Sequence, residues 1–189
     1  MDSSLFHTIN GWARDTPWAH GFFRAYANDG IVLFALGLGI AFVIGMRDDA
    51  QIMARTVWTA AAAVIALGIN QPFADLVNRA RPFVGHPHAL VLVDRSADPT
   101  FMSDHSLVVG AVAVGLMFAV RRLGLVMLGL AVLMAFTRVY VGAHYPGDVI
   151  AGFAFGGLVA AGGMPLADRF LTPMCERVRD VPRLEFLRR

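Results

Sequence analysis

Gly30 to Met46 reads GIVLFALGLGIAFVIGM, 17 residues without a charge. A helix that crosses the hydrocarbon core of a bilayer needs about 20 mostly apolar residues, with roughly 17 as the lower limit, so this stretch reads as a span. Working outward, four more uncharged stretches follow: Thr56–Ala74, Ser106–Val120, Leu123–Thr137 and Val149–Ala167, of 19, 15, 15 and 19 residues. The two 15-residue stretches must borrow residues from beyond their charged borders. That puts Ser103, Asp104 and His105 at one end of the third helix and Arg138 inside the end of the fourth. A charge at such depth is costly unless it faces a bundle interior or a wet cavity, which makes Arg138 a functional candidate by position alone.

The rest of the chain agrees. Of its 189 residues 57% are hydrophobic and only 16% charged, against roughly 45–50% and about 25% in soluble domains. With no Ser/Pro-rich linker, the chain reads as one membrane-embedded domain over 1–189. Its expected parts are an interfacial segment (1–29), a transmembrane bundle (30–167) containing a long loop (75–102), and a cytoplasmic tail (168–189). The fold class is an all-α integral membrane protein, a bundle of about five transmembrane helices preceded by interfacial amphipathic helices. Disordered, collagen-like and disulfide-scaffold classes are excluded, since Cys175 is the single cysteine and reads as a filler. All 16 basic residues are arginine and they fall between the apolar runs, which fits membrane surfaces and argues against nucleic acid.

Asp2, His7, Arg14 and Asp15 interrupt any apolar leader, so the N-terminal segment reads as two short amphipathic helices lying on the bilayer surface. The second is expected to start with Thr16 as its cap and Pro17 in its first turn, and to break at Asn28-Asp29-Gly30. Five spans leave Arg14, Arg24, Arg79, Arg81, Arg95 and Arg138 on one side. Arg47, Arg55, Arg121, Arg122, Arg169, Arg177, Arg179, Arg183, Arg188 and Arg189 fall on the other, ten against six, which favours the second side as cytoplasmic.

Three polar segments share the opposite face: Asn78-Arg79-Ala80-Arg81-Pro82-Phe83, Phe101-Met102-Ser103-Asp104-His105-Ser106, and Thr137 through Asp148 (TRVYVGAHYPGD). The first lies in a connection of 28 residues, Asp75–Met102, far longer than usual for a compact domain. Arg81 and Arg138 can each offer a planar fork of donors to phosphate oxygens, and Ser103 with helix-start amides can add neutral donors. His144 and Asp148 stand four apart, so a helical turn would let the carboxylate fix the imidazole tautomer, although the proline and glycine between them argue for an irregular turn. His105, from another helix, can donate a proton. Each segment alone also has a plainer reading: an interfacial arginine pair, a Ser/Asp helix cap, a snorkelling arginine. Their joint presence on one face favours chemistry. A zinc cluster of His86, His88, His105 and His144 is disfavoured by the rigid spacing and the neighbouring arginines, so no metal or other cofactor is expected. Gly110, Gly115, Gly129, Gly152, Gly156 and Gly157 read as sites of close helix approach.

In order and spacing the three segments resemble the signature of the type 2 phosphatidic acid phosphatase superfamily. That signature is Lys, six residues and Arg-Pro; then Pro-Ser-Gly-His; then Ser-Arg, five residues, His, three residues and Asp. Arg81-Pro82, Ser103, His105, Arg138, His144 and Asp148 match it. Ala74 stands at the lysine position, Met102 and Asp104 replace the proline and glycine, and Thr137 replaces the serine. The Ser-Asp-His variant and Phe6–Gly11 are similar to the bacitracin-resistance type of undecaprenyl-diphosphate phosphatase. The resemblance implies a metal-independent hydrolase in the bacterial plasma (inner) membrane, its site on the extracytoplasmic side. Its partners would be membrane lipids and a polyprenyl or other lipid phosphate substrate. His144 would attack phosphorus to give a phosphohistidine, Asp148 would orient it, and His105 would protonate the leaving lipid phosphate. Arg81, Arg138 and Ser103 would bind phosphate, with Arg79 in place of the lysine. Phosphatases of glycerolipids or lipid A would use the same residues. A silent lipid-headgroup binder and a small-solute transporter are the readings from other classes.

Overall fold

The structure, a computed structural model, describes residues 2–180; Arg183, Arg188 and Arg189 of the expected tail lie outside the described residues. The order is α1 (Asp2–Asp15), a 3-10 turn (Pro17–Ala19), α2 (His20–Asp29), α3 (Ile31–Arg47), α4 (Ala50–Val77), α5 (Pro82–Gly85), α6 (Asp104–Ala119), α7 (Arg121–Tyr140) and α8 (Pro146–Gly162). A short α9 (Met164–Leu166), a π-turn (Ala167–Leu171) and α10 (Thr172–Arg179) complete it. Each of the five apolar stretches forms a helix. Three helical runs are long and apolar enough to cross a membrane: Ala50–Gly85, Arg121–Tyr140 and Pro146–Arg179. A bent pair, Pro17–Asp29 with Ile31–Arg47, makes a fourth if it counts as one span. α6 is apolar but shorter, with 16 residues, a rise of about 24 Å.

α6 lies at the centre. Leu107, Val109, Ala111, Val112, Ala113 and Leu116 are buried around its whole circumference, packed by α4, α7 and α8. Along α6 only Phe118, near its C-terminal end, is exposed. The approach of α8 is closest where side chains vanish: a Cβ on Gly156 would overlap the Leu107 carbonyl, and one on Gly152 would press on the Ser103 carbonyl. Such small-residue contacts bring helix backbones together in lipid, where dispersion replaces the hydrophobic drive. Gly129 does not belong to this set, since a Cβ there meets open space. Outward-facing Leu36, Ile40, Val64, Val132, Ile150 and Leu158 are exposed apolar residues that suit lipid contact.

α2 breaks at Asn28-Asp29-Gly30 as expected: Gly30 stays right-handed and joins α2 to α3 through a 52° bend, with no room for a Cβ between Tyr26 and Met134. One local expectation changes. Thr16 makes no side-chain cap, since its hydroxyl donates to the Trp12 carbonyl at 2.7 Å and sits 2.6 Å from the Tyr140 hydroxyl. α4 outruns its apolar stretch because Asp49 caps it, accepting from the Gln51 amide at 2.8 Å, and Arg55 within it is neutralised by Asp168. It ends at Asn78, in the left-handed region at φ 42°, a conformation that asparagine tolerates better than most residues. α1 and α2 pack on α7, and α1 also meets α8, at the end where the three polar segments gather.

Candidate active site

Two helix-to-helix connections build the site. In the second, α7 runs to Tyr140, and the Arg138 carbonyl then accepts from the Ala143 and His144 amides at 3.1 and 3.3 Å, curling the chain back on itself. Gly142, at φ 79°, makes that curl possible, and a Cβ there would collide with the Leu90 carbonyl. The curl sets His144 beside the last turn of α7. Pro146 then opens α8, and Asp148 in its first turn accepts from the Tyr145 amide at 2.9 Å. In the first connection, Ser103 caps α6, its hydroxyl accepting from the Ser106 amide at 3.4 Å. Asp104 does not compete for that cap: it accepts from Asn70 Nδ2 at 2.7 Å, while Asn70 also pairs with the Met102 backbone.

The result is a pocket of about 200 Å³, with Arg81, His105, Arg138 and His144 among its lining. Asn70, Gln71, Ala74 and Asp75 of α4, with Asp98, Pro99, Met102 and Asp104, complete it. Four sequence-predicted residues from three distant segments therefore meet. The arginines are held by neutral acceptors. Arg81 donates to the Asp98 and Ala143 carbonyls at 2.9 and 3.3 Å. Arg138, only 8% exposed, donates to the Ala27 carbonyl at 3.2 Å, and its buried Nε has no protein partner. A buried charged donor without a partner is costly, and an anion in the pocket would satisfy it.

His144 is 4% exposed, and its Nδ1 lies 2.9 Å from the Thr100 carbonyl and 3.1 Å from the Thr100 hydroxyl. A carbonyl only accepts, so Nδ1 carries the hydrogen and Nε2 keeps its lone pair. Burial, and after it the charges of Arg138 and Arg81, hold the imidazole well below its ordinary value, so it is neutral at physiological pH.

Three predicted residues lie elsewhere than expected. Asp148, fully buried, meets Thr100 Oγ1 at 2.7 Å, and it is Thr100 that reaches His144. The helix start at Pro146 explains this, because His144 lies outside the turn that carries Asp148. Arg79 donates to Asp148 at 2.6 Å and to Asp2, with its guanidinium 4.2 Å from the centre of the Tyr145 ring. It lines a neighbouring surface recess instead of the pocket. Ser103 is buried behind the wall, its amide donating to the Asp148 carbonyl at 3.1 Å. His86, a member of the disfavoured zinc set, stacks on Phe6 and meets His7 edge-on. Sequence reading missed Thr100, which carried no signal, and Asn70, whose signal was an amide inside an apolar helix.

A family model described as the PAP2 superfamily matches residues 55–170. Undecaprenyl-diphosphatase BcrC of Bacillus subtilis (strain 168) is 27% identical over 150 residues, covering 79% of this chain and 76% of that protein. The putative undecaprenyl-diphosphatase YbjG of Escherichia coli (strain K12) is 28% identical over 157 residues, 82% of this chain and 77% of that one. In three dimensions the fold is similar to the crystal structure of the first transmembrane PAP2 type phosphatidylglycerolphosphate phosphatase from Bacillus subtilis. The TM-score is 0.65 at 19% identity, over 88% of this chain and 86% of the other.

Proposed function

The chain belongs to the PAP2 superfamily and is a multi-pass membrane lipid phosphatase, and from that premise we propose that it hydrolyses undecaprenyl diphosphate to undecaprenyl phosphate and inorganic phosphate. The carrying observation is Arg138, a buried guanidinium with an unpartnered Nε beside Arg81, His105 and His144. Two arginines whose hydrogen bonds go only to carbonyls favour a phosphate group, and fixed donors around phosphorus stabilise charge as it moves in the transition state.

His144 Nε2 bonds to the terminal phosphorus while the bond from that phosphorus to the bridging oxygen breaks. The departing undecaprenyl phosphate oxygen takes a proton from His105, whose protonated form is favoured by the bound phosphate's charge. Water then attacks the phosphohistidine, His105 recovers its proton from that water, and inorganic phosphate leaves. Asp148 balances the positive charge that the phosphorylated imidazole acquires. The pocket opens at the end of the bundle that carries fewer arginines, which by the positive-inside tendency is the extracytoplasmic side of a bacterial inner membrane. A carrier lipid left as its diphosphate outside the cell would meet it there. The names of BcrC and YbjG, which match over most of the chain, support the prenyl diphosphate, while relatives named lipid A 1-phosphatase, 39% identical over 85 residues or fewer, support the alternative of a lipid A phosphate.

The test is a panel in which the purified protein is offered undecaprenyl diphosphate, phosphatidylglycerophosphate, diacylglycerol diphosphate and a lipid A 1-phosphate, and phosphate release is measured. Undecaprenyl diphosphate is expected to give the highest kcat/KM. A preference for a glycerolipid or lipid A phosphate by tenfold or more, on the order of 1.4 kcal/mol in the transition state, would reassign the substrate and leave the chemistry standing.

A further inference from the structure

We propose that Thr100, Arg79 and Asp2 are positioning residues for the His144 imidazole, forming with Asp148 a hydrogen-bonded chain that runs from the first turn of α1 to Nδ1. This rests on the reading that His144 attacks phosphorus, and it assigns Arg79 a different task from the phosphate binding that its place near the family lysine suggests.

The direction of every hydrogen in the chain follows from chemistry. The Thr100 hydroxyl owns one hydrogen, and Asp148 Oδ2, 2.7 Å away, accepts it. Its lone pairs are then left for the Nδ1–H of His144 at 3.1 Å, alongside the Thr100 carbonyl at 2.9 Å. The imidazole is thus held in one tautomer and one ring orientation. When Nε2 becomes bonded to phosphorus the ring is cationic, and the carboxylate acts on it across a single hydroxyl.

Asp148 in turn is held from its other side. Its Oδ1 accepts from Arg79 Nη1 at 2.6 Å. Arg79 is tied to Thr100 a second time, since its carbonyl accepts the Thr100 amide at 2.9 Å. Arg79 alone would cancel the charge of Asp148. Asp2 restores it: one of its oxygens accepts from Arg79 Nη2 and the other from the Gly147 amide at 2.8 Å, in the first turn of α8. Two carboxylates against one guanidinium leave a single net negative charge to balance the cationic intermediate, fixed by bonds to α1, α8 and the Arg79–Thr100 loop. Arg79 has two carboxylates and the face of Tyr145 as partners and lines a different recess, which suits a clamp and not a phosphate ligand.

The experiment measures kcat, KM and half-inhibition by orthovanadate for the full chain, using the lipid phosphate that wild type turns over fastest. Thr100→Val is expected to lower kcat by about tenfold to hundredfold, with KM and vanadate inhibition within about twofold of wild type. Thr100→Ser, which keeps the hydroxyl, should retain kcat within about threefold. Arg79→Ala should follow Thr100→Val, and Asp2→Asn should lower kcat by a smaller factor, about threefold to tenfold. Unchanged vanadate inhibition reports an intact pocket and separates these effects from misfolding. The proposal is overturned if Thr100→Val keeps wild-type kcat, if Thr100→Ser loses as much as Thr100→Val, or if Arg79→Ala weakens vanadate and raises KM about tenfold at unchanged kcat. His144→Ala in parallel keeps the two readings apart. Wild-type turnover in that variant removes the phosphohistidine reading itself, whereas a dead His144→Ala beside an active Thr100→Val removes only the chain.

Discussion

Arginines occupy both ends of the bundle, and their partners differ. At the end away from the pocket, Arg55 makes a two-pronged pair with Asp168, both bonds at 2.8 Å, and donates a third hydrogen bond to the Phe118 carbonyl. Arg179 bonds the Met46 and Arg47 carbonyls nearby and helps fasten α10 to the end of α3. At the pocket end, Arg81 and Arg138 meet carbonyls only, and Arg138 keeps an unsatisfied nitrogen. An arginine whose fork is filled by a carboxylate holds helices together; one whose fork is filled by neutral oxygens retains its charge for a ligand. Arg79 shows that address alone does not decide between the two, for it lies at the pocket end and is paired like Arg55.

Substitution tests that contrast directly. His144→Ala and Arg138→Ala are expected to remove phosphate release almost entirely, by about a thousandfold or more, with the folded protein retained in detergent. Normal turnover in either would erase the distinction. Arg81→Ala is expected to cost about a hundredfold in kcat/KM and to weaken inhibition by vanadate, because a preorganised charge next to phosphorus is lost. Arg55→Ala should leave kcat within about twofold and shift thermal unfolding by the equivalent of about 1 kcal/mol, since that pair is partly exposed and solvent-screened. A large fall in its kcat would show that paired arginines are not merely structural.

Acidity gives a milder probe of the same pocket. In the proposed mechanism the neutral imidazole of His144 is the reactive form, and burial with the two arginine charges lowers its proton affinity. Loss of kcat/KM on acidification is therefore expected to set in below the ordinary histidine value of about 6.5, and Arg81→Ala should move that acid limb upward. Stability has a related sign. The unfolded chain takes up a proton near 6.5 that the native state resists, so the contribution of His144 to stability declines as pH falls through that value. The smallest effect expected is that of EDTA: turnover should be unchanged, and loss restored by zinc would revive the histidine-cluster reading.

Much of the site was legible before any coordinates. The spacing of Arg138, His144 and Asp148 and the order of the three polar segments led to four of the pocket residues. Thr100 was invisible because a threonine in a loop advertises nothing until its neighbours are known. Asp2, 98 residues upstream, was equally silent. Pro146 and Gly147 between His144 and Asp148 argue for an irregular turn, and Pro146 indeed starts α8 between them, so the short sequence distance becomes an indirect contact. At α6 the limit is of another kind: hydropathy registers an apolar run and cannot tell that protein will surround most of it.

By itself the chain determined an apolar helical bundle, a face on which its suspended charges gather, and the residue types able to hold phosphate there, because the cost of burying bare charge and backbone in hydrocarbon leaves few alternatives. Tertiary structure alone decided which arginines received carboxylates and which did not. That depends on contacts between segments dozens of residues apart, where a shift of a few ångströms turns a ligand into a clamp, and no local pattern encodes it.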